Sequence, residues 1–212
     1  MNTGISDITL RRIPRYLNYI KQLKGEGRSH VSASRIGEIL GVHHTQVRKD
    51  LALAGLVGIP KVGHKIDDMI PVLETFLNWD NISDAFLVGA GNLGAAIMGY
   101  DGFHKTGIKI VAAFDTDVRK IGKTISGTEV LPISKFPSLA ERMHIHIGVI
   151  TTPAEAAQEI ADMMAESGIL AIWNFAPIKL RTPEDMIVED VNLYSSLAVL
   201  SKKLKQKNQI NI

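Results

Sequence analysis

The stretch Ala85-Phe86-Leu87-Val88-Gly89-Ala90-Gly91-Asn92-Leu93-Gly94 decides the fold of the larger part of this chain. Four apolar residues read as a buried strand. G-x-G-x-x-G follows at once and opens a helical pattern that runs from Leu93 to Tyr100. Each glycine has its own physical task in such a turn. Gly89 permits the tight bend, Gly91 lets the backbone approach a pyrophosphate, and Gly94 lets the helix lie close on the sheet. The helix start then offers free N–H groups and positive dipole to phosphates. Asp115 ends the next apolar run, Ile108 to Phe114, 21 residues beyond Gly94. A carboxylate there accepts hydrogen bonds from an adenosine ribose, and its charge opposes a 2′-phosphate, so the pattern favours NAD over NADP.

Toward the C-terminus, apolar runs within Ile125–Ile133, at Ile145–Ile150 and at Ile169–Asn174 are separated by a helical Pro153–Glu166. Strands alternating with helices imply a parallel sheet covered on both faces: an α/β class, with a Rossmann-like doubly wound sheet. Ligands of such sheets sit beyond the carboxyl ends of the strands. The candidate cofactor set is therefore Gly89, Ala90, Gly91, Asn92, Leu93, Gly94 and Asp115, with Thr151, Thr152, Pro153, Asn174, Phe175 and Ala176 at two further strand ends. From spacing alone, ordinary turns are an equally good reading of the last two groups.

Toward the N-terminus, Ile13, Leu17, Ile20 and Leu23 share one helical face, with Pro14 suited to a first turn. Ser32 is a plausible N-cap for a helix ending at Gly41, and a third helix runs from about His43 to Ala54 with Val47 and Leu51 inward. The spacing of Ala33, Ile36-Gly37, Leu40-Gly41-Val42, Val47 and Leu51 is that of a helix-turn-helix. Two-helix packing without DNA is the bland alternative, and charge decides between them. Residues 1–65 carry 11 basic and 4 acidic side chains, whereas residues 66–212 carry 13 basic and 18 acidic. A basic head on an acidic body faces a polyanion. Gly55–Gly63 reads as a small hairpin, the wing of a winged helix, and Ile66–Trp79 as a linking helix.

At the other end, Leu193, Leu197, Leu200 and Leu204 form a narrow apolar stripe, suited to another subunit's helix or to the chain's own sheet. The expected organisation is a winged-helix DNA-binding domain over 1–80, an NAD(H)-binding domain over 81–190 and a dimerisation helix over 191–212. With no cysteine, a disulfide framework and a thiol nucleophile are excluded. No apolar run approaches the roughly 20 residues of a membrane span, and Met1–Ile8 lacks the features of a signal peptide. A cytoplasmic protein with no membrane association is expected. His104, His144 and His146 read as loop or rim residues, with His144 and His146 on one side of a strand start. Neither a catalytic acid nor a metal site stands out.

Taken together, the chain resembles the Rex family of redox-sensing transcriptional repressors. The resemblance is carried by Gly41-Val42 with Val47-Arg48-Lys49-Asp50-Leu51, by the glycine loop, and by Tyr100-Asp101-Gly102-Phe103. Ile110-Val111-Ala112-Ala113-Phe114-Asp115, Pro153-Ala154-Glu155-Ala156-Ala157-Gln158 and Asn174-Phe175-Ala176-Pro177 complete it. It implies a homodimer that binds double-stranded operator DNA when NAD⁺ prevails and lets go when NADH binds. It also implies a terminal helix exchanged between subunits. On this basis Arg12, His44, Thr45, Gln46, Arg48, Lys49 and Lys61 are assigned to DNA. Gln46 and Arg48 would reach bases, and Lys49 and Lys61 phosphates. Tyr100, Asn192, Leu193 and Leu197 are assigned to a dimer interface near the nicotinamide. The chain departs from the family at the wing, where Ile59-Pro60 replace a Lys-Arg pair and leave Lys61 as its one cation. The competing reading is an enzyme: a small NAD-dependent oxidoreductase, or a nucleotide-binding subunit of an acyl-CoA ligase-type complex. A basic winged helix has no obvious use there.

Overall fold

The computed structural model describes residues 5–100 and 102–210, with the side chains of 104, 105, 193 and 208–210 outside the description. The chain divides into two compact units, Met1–Ile82 with Lys105–Gly107, and Ser83–His104 with Ile108–Ile212.

The first unit begins with α1 (Asp7–Gly25), which starts earlier than periodicity alone indicates because the Ser6 side chain accepts from the Thr9 N–H. Pro14 consequently lies well inside the helix rather than in its first turn. There it removes one ladder hydrogen bond, to the Leu10 carbonyl. A two-residue strand β1 (His30–Val31) leads to α2 (Ala33–Leu40), capped by Ser32 and ended by Gly41 in the left-handed region at φ 67°. The next helix, α3 (His44–Leu53), packs against α2. Their approach depends on Gly37, where a Cβ would collide with the Val42 carbonyl.

The expected hairpin is smaller than its sequence indicates. A single bridge joins Ile59 and Gly63, and the paired strand is β2 (His64–Lys65), antiparallel to β1. Pro60 has no N–H to give, and Lys61 turns the chain at φ 64°, so the loop closes within five residues. The helix α4 (Ile66–Phe76) is not a linker. Its Ile66, Met69 and Leu73 are buried in one core with Ile13, Tyr16, Leu17 and Ile20 of α1 and Val47 and Leu51 of α3.

The second unit holds β3 (Ser83–Val88), α5 (Asn92–Met98), β4 (Ile108–Asp115), β5 (Thr124–Ile125), β6 (Thr128–Pro132), α6 (Phe136–Met143), β7 (Ile147–Ile150), α7 (Ala154–Glu166), β8 (Ala171–Asn174), β9 (Ile187–Asp190) and α8 (Leu193–Ile210). The sheet order is β5-β6-β4-β3-β7-β8-β9, parallel throughout except for β5 at one edge. From β6 to β9 this is the doubly wound order, and it reverses between β3 and β7. The hydrophobic periodicity does not reveal α6, β5 or β9, which are short or exposed. His144 caps α6 at φ 52°, so it does not share a strand start with His146.

Candidate functional site

The switch in strand order leaves a crevice between the carboxyl ends of β3 and β7, and the glycine loop fills one side of it. Gly89 leaves β3 at φ 105°, and a Cβ on it would press on the Thr151 backbone at 2.9 Å. Thr151 braces the same turn, its hydroxyl donating to the Gly89 carbonyl at 2.7 Å and to that of Val88 at 3.1 Å. A Cβ at Gly94 would collide with the Gly89 carbonyl, so only glycine lets α5 lie this close. Gly91 is the opposite case: nothing lies within 4 Å of its Cβ direction, and as the N-cap it offers α5 no capping side chain. One glycine is needed for backbone geometry, one for packing and one for open space.

That open space belongs to a cavity of about 510 Å³, within the usual range for ligand sites. Gly89, Gly91, Leu93, Asp115, Thr151, Thr152, Pro153, Phe175 and Pro177 line it, together with Thr116, Lys120 and Ile133, which the sequence did not single out. The Thr152 hydroxyl is buried and has no hydrogen-bond partner. An unpartnered polar group of this kind fits a ligand that would satisfy it. Asp115, 8% exposed, stands at the end of β4. Burial works against its charge. Lys120 Nζ at 2.8 Å and the N–H groups of Asp117 and Ala90 outweigh that and hold the carboxyl below its ordinary pKa. The cavity thus combines a glycine cradle with an ionised carboxylate, the two features a dinucleotide requires.

Other expected residues lie elsewhere. The fully buried Asn174 gives its amide N–H groups to the Ile178 carbonyl (2.9 Å) and to Asp190 (2.8 Å), and accepts from the Ala176 N–H (3.0 Å). It ties β8 to β9 and the following loop. Ala90 is buried, and the exposed Asn92 is not among the residues that line the cavity. Ala176, Asn192 and Leu197 line a neighbouring cavity of about 560 Å³ that shares Leu93, Phe175 and Pro177 with the first. A run of ring contacts, Phe175 to Trp173 at 4.6 Å, Trp173 to Phe103 at 5.1 Å and Phe103 to Tyr100 at 5.0 Å, connects that shared wall to the exposed Tyr100. Asn192 caps α8 by accepting from the Ser195 N–H. Leu197, Leu200 and Leu204 are 58–63% exposed, so the apolar stripe of α8 does not fold back on its own sheet. Leu193 has its side chain outside the described residues.

In the first unit, His44, Thr45, Arg48, Lys49 and Lys61 are exposed on α3 and the wing. Arg12, expected to face DNA, is committed internally. Its Nε and Nη2 donate to Asp50 at 2.7 and 2.8 Å. Gln46, expected to reach bases, donates to the same carboxylate at 2.8 Å, as does the Tyr16 hydroxyl. Burial pushes Tyr16 up to about 12, with Asp50 adding to it. This network joins α1 to α3. The sequence shows an Arg and an Asp 38 residues apart and nothing that pairs them.

Comparison with known proteins matches both units. A family described as "Putative DNA-binding protein N-terminus" matches residues 4–52, and the CoA binding domain family matches residues 80–178. A redox-sensing transcriptional repressor Rex from Bacteroides fragilis is 39% identical over 203 residues, covering 96% of this chain and 92% of that protein. The Rex protein of Treponema denticola is also 39% identical, over 94% of this chain and 95% of its own. Among solved structures, RSP in complex with β-NADH superposes with a TM-score of 0.90 at 33% identity, covering 99% of this chain and 98% of that one. RSP with β-NAD⁺ and operator DNA gives 0.88 at 34% identity, over 98% and 95%. With near-complete coverage in both directions, the chain belongs to the Rex family of redox-sensing transcriptional repressors.

Proposed function

We propose that this protein is a homodimeric repressor that binds operator DNA through its first unit and releases it when NADH occupies the cavity of the second. The observation that carries the reading is the pairing, in one chain, of a cationic helix-turn-helix with a glycine-cradled cavity ending at ionised Asp115. In this reading Asp115 takes the ribose hydroxyls, the start of α5 takes the pyrophosphate, and Phe175, Leu93 and Pro177 wall the nicotinamide. The oxidised ring is cationic and the reduced ring neutral, so an apolar wall favours NADH through the smaller desolvation cost. A ligand shifts an equilibrium only by its differential affinity. A ~100-fold preference for the DNA-free arrangement shifts operator binding by about 2.7 kcal/mol. The exposed leucines of α8 are assigned to the partner subunit, with exchange of that helix between subunits. NADH is a signal here and not a hydride donor, and the place of action is the cytoplasm.

A different diphosphate is the second reading, favoured by the CoA binding domain match over residues 80–178. A ribose 3′-phosphate would meet the Asp115 charge, which argues for the dinucleotide. The deciding experiment is binding of the full chain to DNA from upstream of its own gene, at fixed salt, with NAD⁺, NADH or CoA titrated in. Release by NADH alone is expected. Release by CoA, or by none of the three, overturns the assignment of the ligand.

A further inference from the structure

His64 is an unusual residue in the first unit. It is 7% exposed, and its ring Nδ1 is buried with no hydrogen-bond partner. Its ring lies against the wing backbone at Gly58, where a Cβ would come within 2.8 Å of Cε1 and 3.1 Å of Nε2. Its own backbone belongs to β2, opposite Val31 of β1. The preceding residue, Gly63, closes the wing by exchanging two hydrogen bonds with Ile59 (2.7 and 2.8 Å). The ring therefore stands at the base of the wing and fills the gap that Gly58 leaves.

The surroundings suit a neutral ring only. His64 shares a pocket with two charged side chains, Arg48 from α3 and Lys61 from the wing, while α2 and its cap contribute Ser32 and Ser34. No carboxylate lines that pocket among the described residues. An imidazolium there would be cut off from water with no carboxylate to balance it, and with a backbone carbonyl, that of Val31, in place of a counter-charge. Burial accordingly pushes the imidazole down, by more than the Val31 carbonyl raises it.

We propose that His64 is a positioning residue for the wing: as a neutral ring it seats Gly58–Gly63 beside α3, and on protonation it leaves its site and the wing loosens. Operator affinity then falls as the solution is acidified. This last step rests on the DNA-binding reading above; the seating itself does not. The direction follows from linkage. A histidine held below its ordinary value of 6.5 contributes stability that is complete above that value and is lost as pH falls beneath it.

Two measurements on the full chain test this separately. The first is hydrogen exchange at the Ile59 and Gly63 amides between pH 7.5 and 5.5, corrected for intrinsic exchange, for the parent, His64→Phe and Gly58→Ala. Protection should fall with pH in the parent and not in His64→Phe. Gly58→Ala should be poorly protected already at pH 7.5, since its methyl displaces the ring while its φ lies outside the left-handed region. The second is the ratio of affinities at pH 7.5 and 5.5 for a duplex selected from random sequence by the parent. That ratio should be up to about tenfold larger in the parent than in His64→Phe, the charged-to-neutral ratio one unit below the ordinary value. The other histidines are common to both proteins and cancel. Exchange that is equally pH-dependent in parent and variant, or wing protection untouched by Gly58→Ala, overturns the seating. Failure to select or bind DNA at any pH overturns the repressor reading instead, and leaves the exchange data to decide the role of His64.

Discussion

Asp50 and Asp115 lie in different units, are 0% and 8% exposed, and are both held below the ordinary carboxyl pKa against the cost of burial. Their partners differ. Asp50 accepts two hydrogen bonds from Arg12, one from Tyr16, one from Gln46 and a longer one from the Thr9 hydroxyl at 3.5 Å, which use up the roughly four lone-pair positions of a carboxylate. Asp115 is held by one side chain, the part-exposed Lys120, and by backbone N–H groups, and it borders a cavity of about 510 Å³. A perturbed carboxyl marks a binding site only where acceptor capacity and open space remain beside it. Asp50 has neither, and its work is to hold α3 on α1.

The sharpest way to break this comparison is Asp50→Asn, which leaves the Arg12 guanidinium without its counter-charge. The first unit should lose about 3–5 kcal/mol of stability, measured by denaturant unfolding. The same residue sets an acid limit. Because Asp50 sits below 3.8 in the folded state, its contribution is complete above that pH and disappears as pH falls through the depressed value. The part of acid unfolding that depends on Asp50, followed by near-UV circular dichroism, should therefore lie below pH 3.8 in the parent and be absent from the variant. Asp115→Ala should do the reverse, leaving stability nearly intact while NADH affinity drops. Charge-assisted hydrogen bonds are worth about 1.5–3 kcal/mol, roughly a 10- to 100-fold loss by calorimetry; unchanged affinity would remove Asp115 from the ribose site.

Smaller effects separate the cations of the first unit that are already paired from those that are not. Lys49→Ala should lower the slope of log affinity against log salt by about 0.9. An unchanged slope would mean that Lys49 meets no phosphate. Least of all is expected from Lys120→Ala. Its ion pair with Asp115 is 35% exposed on the lysine side, and pairs of that kind contribute about 1 kcal/mol or less. A fall in thermal midpoint of more than a few degrees would show that Asp115 is structural after all and collapse the contrast with Asp50.

Much of the architecture was legible in the sequence because its causes are local. Ser32, Gly41 and Gly89 act through caps and backbone angles within a few residues of themselves. Gly37 and Gly94 mark close approaches that a regular spacing already implies. The order of strands and helices between Ala85 and Asn174 follows from apolar runs of the right length. Short elements escaped this reading. The strand at Ile187–Asp190 is exposed, and β5 pairs with its neighbour over only two residues. The Ile66–Phe76 helix was found as a helix, but its burial depends on α1, some fifty residues earlier.

For the site, the division follows the same line. The glycine loop, Asp115, the Thr151-Thr152 turn and Phe175 could be named from motif and strand ends. Lys120 enters the cavity only because the loop after β4 folds toward it. The Asn174 amide is occupied by Asp190 and Ile178, and the Arg12 guanidinium by Asp50. The sequence by itself determined which backbone can cradle a phosphate, where the helices begin and end, and where positive charge accumulates. Only the tertiary structure decided which polar groups are already spent on one another and which, like the Thr152 hydroxyl and the His64 ring nitrogen, are buried without a partner. Hydrogen-bond capacity is consumed in space, between residues that chain spacing does not relate.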